Sequence, residues 1–266
     1  MDSASNSLHS IHDSPVRPVW VVRHVAHEGL GTIADALSRC QVPWTTIDAF
    51  AGSLPQFNPR EVAGLIVMGG PMNADEVDKH PFLAEEVRWL RQAVDAQLPV
   101  LGVCLGSQLL AKSLGQKVYA NWIKEIGWYD IELLPAAGAD PLLHDLPLPL
   151  GEGRGEGAAR RITVFQWHGD TFDLPASAMQ LARSPQCENQ AFRFGQRAFG
   201  LQFHMEVTAE IIDEWLCQSD NCGELAGLSY IDPAALRRQI PEKLPQMEAV
   251  GRQVFDRFAN LCRTTY

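Results

Sequence analysis

Basic residues are scarce in this sequence: 22 Lys and Arg stand against 32 Asp and Glu, a formal net charge of −10 over 266 residues. An acidic chain with no basic cluster lacks the electrostatic footprint of a nucleic-acid binder, which excludes nucleic acid as a main partner. Long apolar runs are missing as well. None reaches the roughly 18 residues of a membrane span, so no membrane partner is expected. Residues 1–17 carry Ser, Asn, His and Asp in place of the basic start and apolar middle of a signal peptide. They read as a disordered arm, and the chain reads as cytoplasmic. The cysteines, at 40, 104, 187, 217, 222 and 262, form no Cys-x-x-Cys pair. That spacing offers no metal site, and a reducing compartment would leave them as thiols. There is no internal repeat and no cofactor motif. The GEGRGEG stretch at 151–157 is not a phosphate loop, because no Gly-Lys-Ser/Thr follows it and no strand and helix frame it.

What is present is an alternation of strand and helix patterns. Val19 to Val25 (VWVVRHV) is apolar nearly throughout, as a strand buried on both faces should be. Leu30, Ile33, Ala34 and Leu37 have helical spacing. Strands are expected over Trp44 to Phe50 and Val62 to Met68, the latter running into Gly69-Gly70-Pro71, with a helix over Pro81 to Ala96. Such alternation predicts an α/β fold: a mainly parallel, doubly wound, flavodoxin-like sheet flanked by helices. Short strand patterns at Val118–Tyr119, 126–134, 162–167 and 179–182 predict a smaller antiparallel region. A strand is expected over Arg197 to Val207, leading into helix. The expected organisation is a domain over 18–208, a disordered Pro- and Gly-rich insertion over 135–161, and a C-terminal helical extension over 209–266 packed on the domain. Gly223, Pro233 and Pro241 are its expected breaks.

Two stretches carry chemistry. In Gly102-Val103-Cys104-Leu105-Gly106 an apolar strand meets a cysteine set between glycines, and a helix pattern follows. This has the mechanical form of a nucleophile elbow, in which glycines relieve a turn too tight for side chains. A helix beginning just after the cysteine aims unpaired N–H groups and a positive dipole end at the sulfur, favouring the reactive thiolate. A lone cysteine is more often a buried structural thiol, and it is the two glycines and the strand-helix setting that reverse this. The second stretch is Gln202-Phe203-His204-Met205-Glu206. Residues two apart on an extended segment point the same way, so Glu206 can accept a hydrogen bond from one nitrogen of His204. The other nitrogen is left to take the thiol proton. Elsewhere a His-x-Glu pattern would be an ordinary surface pair. Its place at the end of an apolar strand, in a chain with a cysteine elbow, gives it weight.

Together GVCLGSQ (102–108), GGP (69–71), WHGD (167–170) and QFHMEV (202–207) resemble class I glutamine amidotransferase domains, in particular the glutaminase domain of GMP synthase and its free-standing relatives. The likeness covers roughly 18–208 in the right order. It implies Cys104 as nucleophile, His204 as acid/base and Glu206 as its orienter, with the N–H groups of Gly70 and Leu105 as oxyanion hole. Gln108 would hold the substrate amino acid, and Gly169 and Asp170 would line its pocket. The implied substrate is glutamine, cleaved through a γ-glutamyl thioester, with ammonia passed to an acceptor on a separate synthase subunit. No Ser-Gly-Gly-x-Asp-Ser loop of a synthetase is found in the chain. Two positions depart from the pattern: Ser107, often His or Met in relatives, and Met72, where many have a second glycine. His168 is expected to line the pocket, since the cysteine already has a base. A metal pair at His24 and His27 lacks a third ligand. The alternative activity is a γ-glutamyl hydrolase or peptidase acting on another γ-glutamyl amide. A non-catalytic regulatory module is disfavoured by a complete triad.

Overall fold

The computed structural model describes residues 17–147 and 160–264. The expected arm, except Arg17, and the 148–159 part of the expected insertion lie outside the described residues. The elements run β1 (Val19–Arg23), α1 (Thr32–Arg39), β2 (Trp44–Asp48), β3 (Gly64–Val67), α2 (Phe82–Asp95), β4 (Val100–Val103), α3 (Leu105–Ser113), β5 (Val118–Leu133), β6 (Arg160–Phe172), β7 (Ala178–Arg183), β8 (Ala191–Phe194), β9 (Ala198–Leu201), α4 (Ala209–Cys217), α5 (Ser219–Ala226) and α6 (Pro233–Arg263). The strands form one mixed sheet in the order β2-β1-β3-β4-β9-β8-β7-β5-β6. The first five are parallel and the rest antiparallel, so the antiparallel region continues the parallel sheet across β9.

The inner parallel strands are short and largely apolar on both sides because helices cover both faces, whereas the edge strand β2 (WTTID) has no buried residue. Every residue of β3, β4 and β9 is buried. Alternate side chains enter two cores. Val19, Val21, Ile66, Leu101 and Val103 pack with α1, α4 and α6. Val22, Leu65, Val67 and Val100 pack with α2 and α3. Strand order reverses between β1 and β3, and in such sheets ligands bind beyond the carboxyl ends at that point. The carboxyl ends of β1, β3, β4 and β9 lie side by side there, and each leads into a segment of the site.

Several local expectations change. The two strand patterns at 118–119 and 126–134 are one strand, β5, whose pairing with β6 shifts register between Ala120 and Glu125. The expected strand over 197–207 leaves the ladder after Leu201. Beyond it, Gln202 N–H donates to Gln190 O (2.8 Å), and His204 makes an isolated antiparallel bridge with Phe165. Residues 135–147, expected to belong to the disordered insertion, are structured. Pro135–Ala139 forms a 3-10 helix, and Leu142, Leu143 and Leu146 are buried. Asp140, fully buried, holds the turn: its Oδ1 accepts from Leu142 N–H (2.9 Å) and its Oδ2 pairs with Arg193 (2.8 Å). Arg160 and Arg161 already belong to β6. The helical C-terminus breaks elsewhere than expected. Gly223 lies inside α5, and α6 runs through Pro241 and Pro245. Each proline removes one ladder hydrogen bond. Burial of Leu236, Ile240, Leu244, Met247, Val250, Val254, Phe255 and Phe258 against the sheet side outweighs that loss. The start of α6 is where Pro233 was expected to act, at the first helical position, with Asp232 accepting from Ala234 and Ala235 N–H. No helix among the described residues is long and apolar enough to cross a membrane.

Candidate active site

Cys104 sits at the junction of β4 and α3 with φ +49°, a left-handed conformation rare for a side-chain-bearing residue. Its N–H donates to Leu201 O (2.8 Å), and its carbonyl accepts from Ser107 N–H (2.9 Å) and Ser107 Oγ (2.7 Å), which ties the turn to β9 on one side and to α3 on the other. Both glycines of the elbow are needed for contact. A Cβ at Gly106 would lie 1.9 Å from the Val67 carbonyl oxygen, and one at Gly102 would lie 2.4 Å from the Gly106 oxygen. These neighbours are backbone and have no flexible end to move. Gly106→Ala is therefore expected to cost about 3 kcal/mol or more of stability, read from denaturant unfolding. An alanine variant as stable as the parent would show that β3 can yield.

The elbow faces His204. The imidazole Nδ1 meets Glu206 Oε1 at 2.6 Å, and Glu206 Oε2 accepts from Met205 N–H at 3.0 Å. Cys104 lines the same cleft as His204, its Sγ donating to Trp167 O (3.6 Å) and accepting from Gln202 (3.7 Å). The triad residues expected from sequence are thus brought together. Burial works against the charged imidazole, but the Glu206 carboxylate and the Cys104 side chain outweigh it and hold His204 well above the usual histidine range. The backbone is clamped as well: Glu206 O accepts from Thr32 N–H at the start of α1 (2.8 Å), and His204 N–H donates to Phe165 O (2.8 Å). Trp215 from α4 sets its ring edge-on to the imidazole, 4.8 Å between centroids.

These groups open into a cleft of about 420 Å³. Its walls include Gly70, Leu105, Gln108, Gly169 and Asp170, so every residue expected at the site reaches it or, for Glu206, stands directly behind His204. Gly70 and Leu105 each have an N–H with no protein acceptor among the described residues. Gln108 donates to Gln202 Oε1 (3.2 Å) and to Asp170 O (3.4 Å), and Gln202 in turn donates to Cys104 Sγ (3.7 Å). Asn73, just after Gly69-Gly70-Pro71, bridges that loop to the 167–170 segment by donating to Asp170 Oδ2. Of the two departures, Met72 lines the cleft, and Ser107 is fully buried, its hydroxyl spent on the elbow.

His168 is not the base for Cys104. Its Nε2 pairs with Glu125 (2.9 Å) and its Nδ1 with Asp170 O (2.9 Å), so its ring fixes the pocket wall. Glu125, His168 and Cys187 do converge within metal-ligand reach. Their atoms are already committed, however. Glu125 also accepts from Ser184 and Gln190, and burial pushes the Cys187 thiol up to about 11, away from the thiolate a metal requires. His24 likewise has both nitrogens engaged, by Gly69 O and Glu86, which leaves no lone pair for a metal shared with His27.

The site also holds residues that are not expected from sequence: Glu28, Gln202, Trp215, Lys124 and Glu224. Glu28, half-buried in the loop after β1, lines the cleft, and burial raises its carboxyl pKa against the pull of His204, His24 and His27. Lys124 and Glu224 pair across the cleft wall. Gln202, two residues before His204 on the same segment, had a legible signal; the others are joined only by folding.

Residues 32–218 match the family model for class I glutamine amidotransferases. The chain is 32% identical over 237 residues to the glutamine amidotransferase-like protein YfeJ of Salmonella typhimurium, covering 84% of this chain and 93% of that one. It is 33% identical over 164 residues to the GMP synthase [glutamine-hydrolyzing] of Tolumonas auensis, covering 60% of this chain and 28% of that one. Among solved structures, a glutamine amidotransferase from Thermotoga maritima superposes with a TM-score of 0.78 at 33% identity, over 92% of this chain and 98% of its own. One from Methylobacillus flagellatus gives 0.78 at 29%, over 92% and 95%. With its elbow, its facing histidine and these likenesses, the chain belongs to the class I glutamine amidotransferase family.

Proposed function

We propose that the chain hydrolyses the side-chain amide of glutamine, with Cys104 as nucleophile, His204 as acid/base and Glu206 as the residue that orients it. The observation that carries this reading is that Cys104, on its strained elbow, and His204, held by Glu206 Oε1, converge on one cleft beside Gly69. His204 takes the thiol proton as sulfur attacks the amide carbon. The carbonyl oxygen becomes an oxyanion between the N–H groups of Gly70 and Leu105, donors of a kind worth about 3 kcal/mol each in the transition state. His204 then gives its proton to the leaving nitrogen, ammonia departs, and a γ-glutamyl thioester remains. Water, deprotonated by the same imidazole, cleaves the thioester to glutamate and restores the thiol. Gln108, Gly169 and Asp170 hold the amino-acid end of the substrate. No step calls for a metal or cofactor.

The ammonia goes to an acceptor on a separate synthase subunit. The match to GMP synthase spans 28% of that protein, which supports placing the acceptor reaction elsewhere.

A second reading rests on the size of the cleft. At about 420 Å³ it falls in the range that takes drug-sized ligands, larger than glutamine, and it extends to Asn121, Lys124, Asn221 and Glu224. A γ-glutamyl peptide or amide would place its leaving group there. The test is turnover by the purified protein of glutamine and of a panel of γ-glutamyl amides and peptides. Glutamine is expected to be the better substrate by kcat/KM, or to become so when a partner is added. Strong turnover of the panel with little on glutamine would overturn the first reading in favour of the second.

A further inference from the structure

Behind the cleft lies a buried chain of groups that the reaction does not itself use. His24, at the end of β1, and Glu86, in α2, are both fully buried and meet at 2.9 Å. The other nitrogen of His24, Nδ1, lies 2.7 Å from the carbonyl oxygen of Gly69. Glu86 Oε1 has no protein partner, so among the described residues His24 is the group that compensates this carboxylate. A carbonyl oxygen only accepts, so Nδ1 carries a proton. This holds whether the shared proton at the other end resides on Nε2 or on Glu86.

We propose that His24, held by Glu86, is a positioning residue that aims the Gly70 N–H into the oxyanion hole by fixing the carbonyl of the same peptide unit. The proposal rests on the reading of Gly70 as an oxyanion donor. No described peptide bond is cis, and in a planar trans peptide the C=O and N–H point in opposite directions. Pinning the Gly69 oxygen toward His24 therefore turns the Gly70 N–H away from it, toward the cleft. The packing fixes the same orientation. A Cβ at Gly70 would run into His24 Cβ at 2.8 Å and Nδ1 at 3.1 Å. One at Gly69 would instead face His204 Cε1 at 3.1 Å and Cys104 Cβ at 3.6 Å. The two-glycine loop is thus pressed between the His24 ring on one side and the Cys104–His204 pair on the other. Released from His24, the 69–70 peptide can rotate, and its N–H then competes poorly for an oxyanion that exists only in the transition state.

The test compares His24→Leu, which removes the donor, with His24→Asn, whose side-chain amide nitrogen can take the place of Nδ1. His24→Leu is expected to lower kcat on glutamine by about 10- to 100-fold with KM within about 3-fold of the parent, and His24→Asn to recover most of the loss. Alkylation of Cys104 by iodoacetamide, a displacement that builds no oxyanion, should proceed at the parental rate in both. The deciding probe is the γ-aldehyde analogue of glutamine. The thiol adds across its C=O, forming the S–C bond and passing the thiol proton to the oxygen, so its binding reads the oxyanion hole directly. The parent is expected to bind it at least about 100-fold more tightly than glutamine, and His24→Leu about 10- to 100-fold less tightly than the parent. Tight binding by parent and His24→Leu alike would overturn the positioning role and leave the hydrolytic reading standing. No preference for the aldehyde in the parent would instead overturn the oxyanion-hole reading itself. Should His24→Leu not fold, His24→Asn together with Glu86→Gln carries the comparison: parental kcat with a tenfold weaker aldehyde, or the converse, would contradict the proposal.

Discussion

Cys104→Ala is expected to lower turnover of glutamine, and of any other γ-glutamyl amide, by about 10⁴-fold or more, because among the described residues no other thiol or hydroxyl side chain lines the cleft. The remaining cysteines are not placed to substitute; Cys187, for example, is held in the Glu125 cluster. A variant retaining a tenth of parental activity would sink the nucleophile assignment. The same position carries a stability prediction of opposite sign. The backbone at Cys104 stays at φ +49° whatever non-glycine side chain it bears, since β4, α3 and the Leu201 carbonyl fix it from both sides. Such a residue stores about 1–3 kcal/mol, and glycine releases it. Cys104→Gly is therefore expected to be more stable than Cys104→Ala by about 1 kcal/mol, although glycine gains entropy in the unfolded chain. Equal denaturant midpoints for the two variants would mean that the elbow is not strained.

The parts of the site that the sequence reveals are those in which chemistry and geometry share one short segment. Gly102, Cys104 and Gly106 specify a turn and a nucleophile within five residues, and His204 and Glu206 specify a base and its orienter within three. The inner parallel strands are legible for a similar reason: burial on both faces leaves an unbroken apolar run, such as Val100–Val103. What is hidden depends on chain closure. His24 and Glu86 are 62 residues apart, and a lone histidine in an apolar strand gives no hint of its partner. Trp215 reads as one apolar position of an amphipathic helix until α4 sets it against His204. Composition misleads at 135–147, where Pro and Gly suggest disorder but Asp140, Leu142, Leu143 and Leu146 find buried partners. It misleads again at Pro241 and Pro245, where packing along a 31-residue helix overrides local propensity.

Glu206→Gln is expected to lower kcat by about 10³- to 10⁴-fold while leaving the fold and KM little changed. The reason lies in the second oxygen of Glu206. Both oxygens accept in the parent, one from His204 Nδ1 and the other from Met205 N–H. Glutamine has only one acceptor to offer. If its NH₂ faces Met205, two buried donors meet and neither can change, at about 1–3 kcal/mol. If its NH₂ faces His204, the conflict disappears as the imidazole moves its proton from Nδ1 to Nε2. The second arrangement wins, and it directs a proton at Cys104 where a lone pair is needed. Glu206→Ala removes the carboxylate without imposing a tautomer, so it is expected to retain more activity than Glu206→Gln despite being the larger truncation. The pH profile of kcat/KM separates this from simple loss of charge. In the parent, burial lowers the His204 pKa, but Glu206 and Cys104 together raise it further. Without the carboxylate the imidazolium gives up its proton at lower pH, so the acidic limb, where His204 becomes the free base, should move to lower pH in both variants. A shared shift with unequal kcat points to the tautomer; equal kcat in the two variants would show that Glu206 acts through its charge alone.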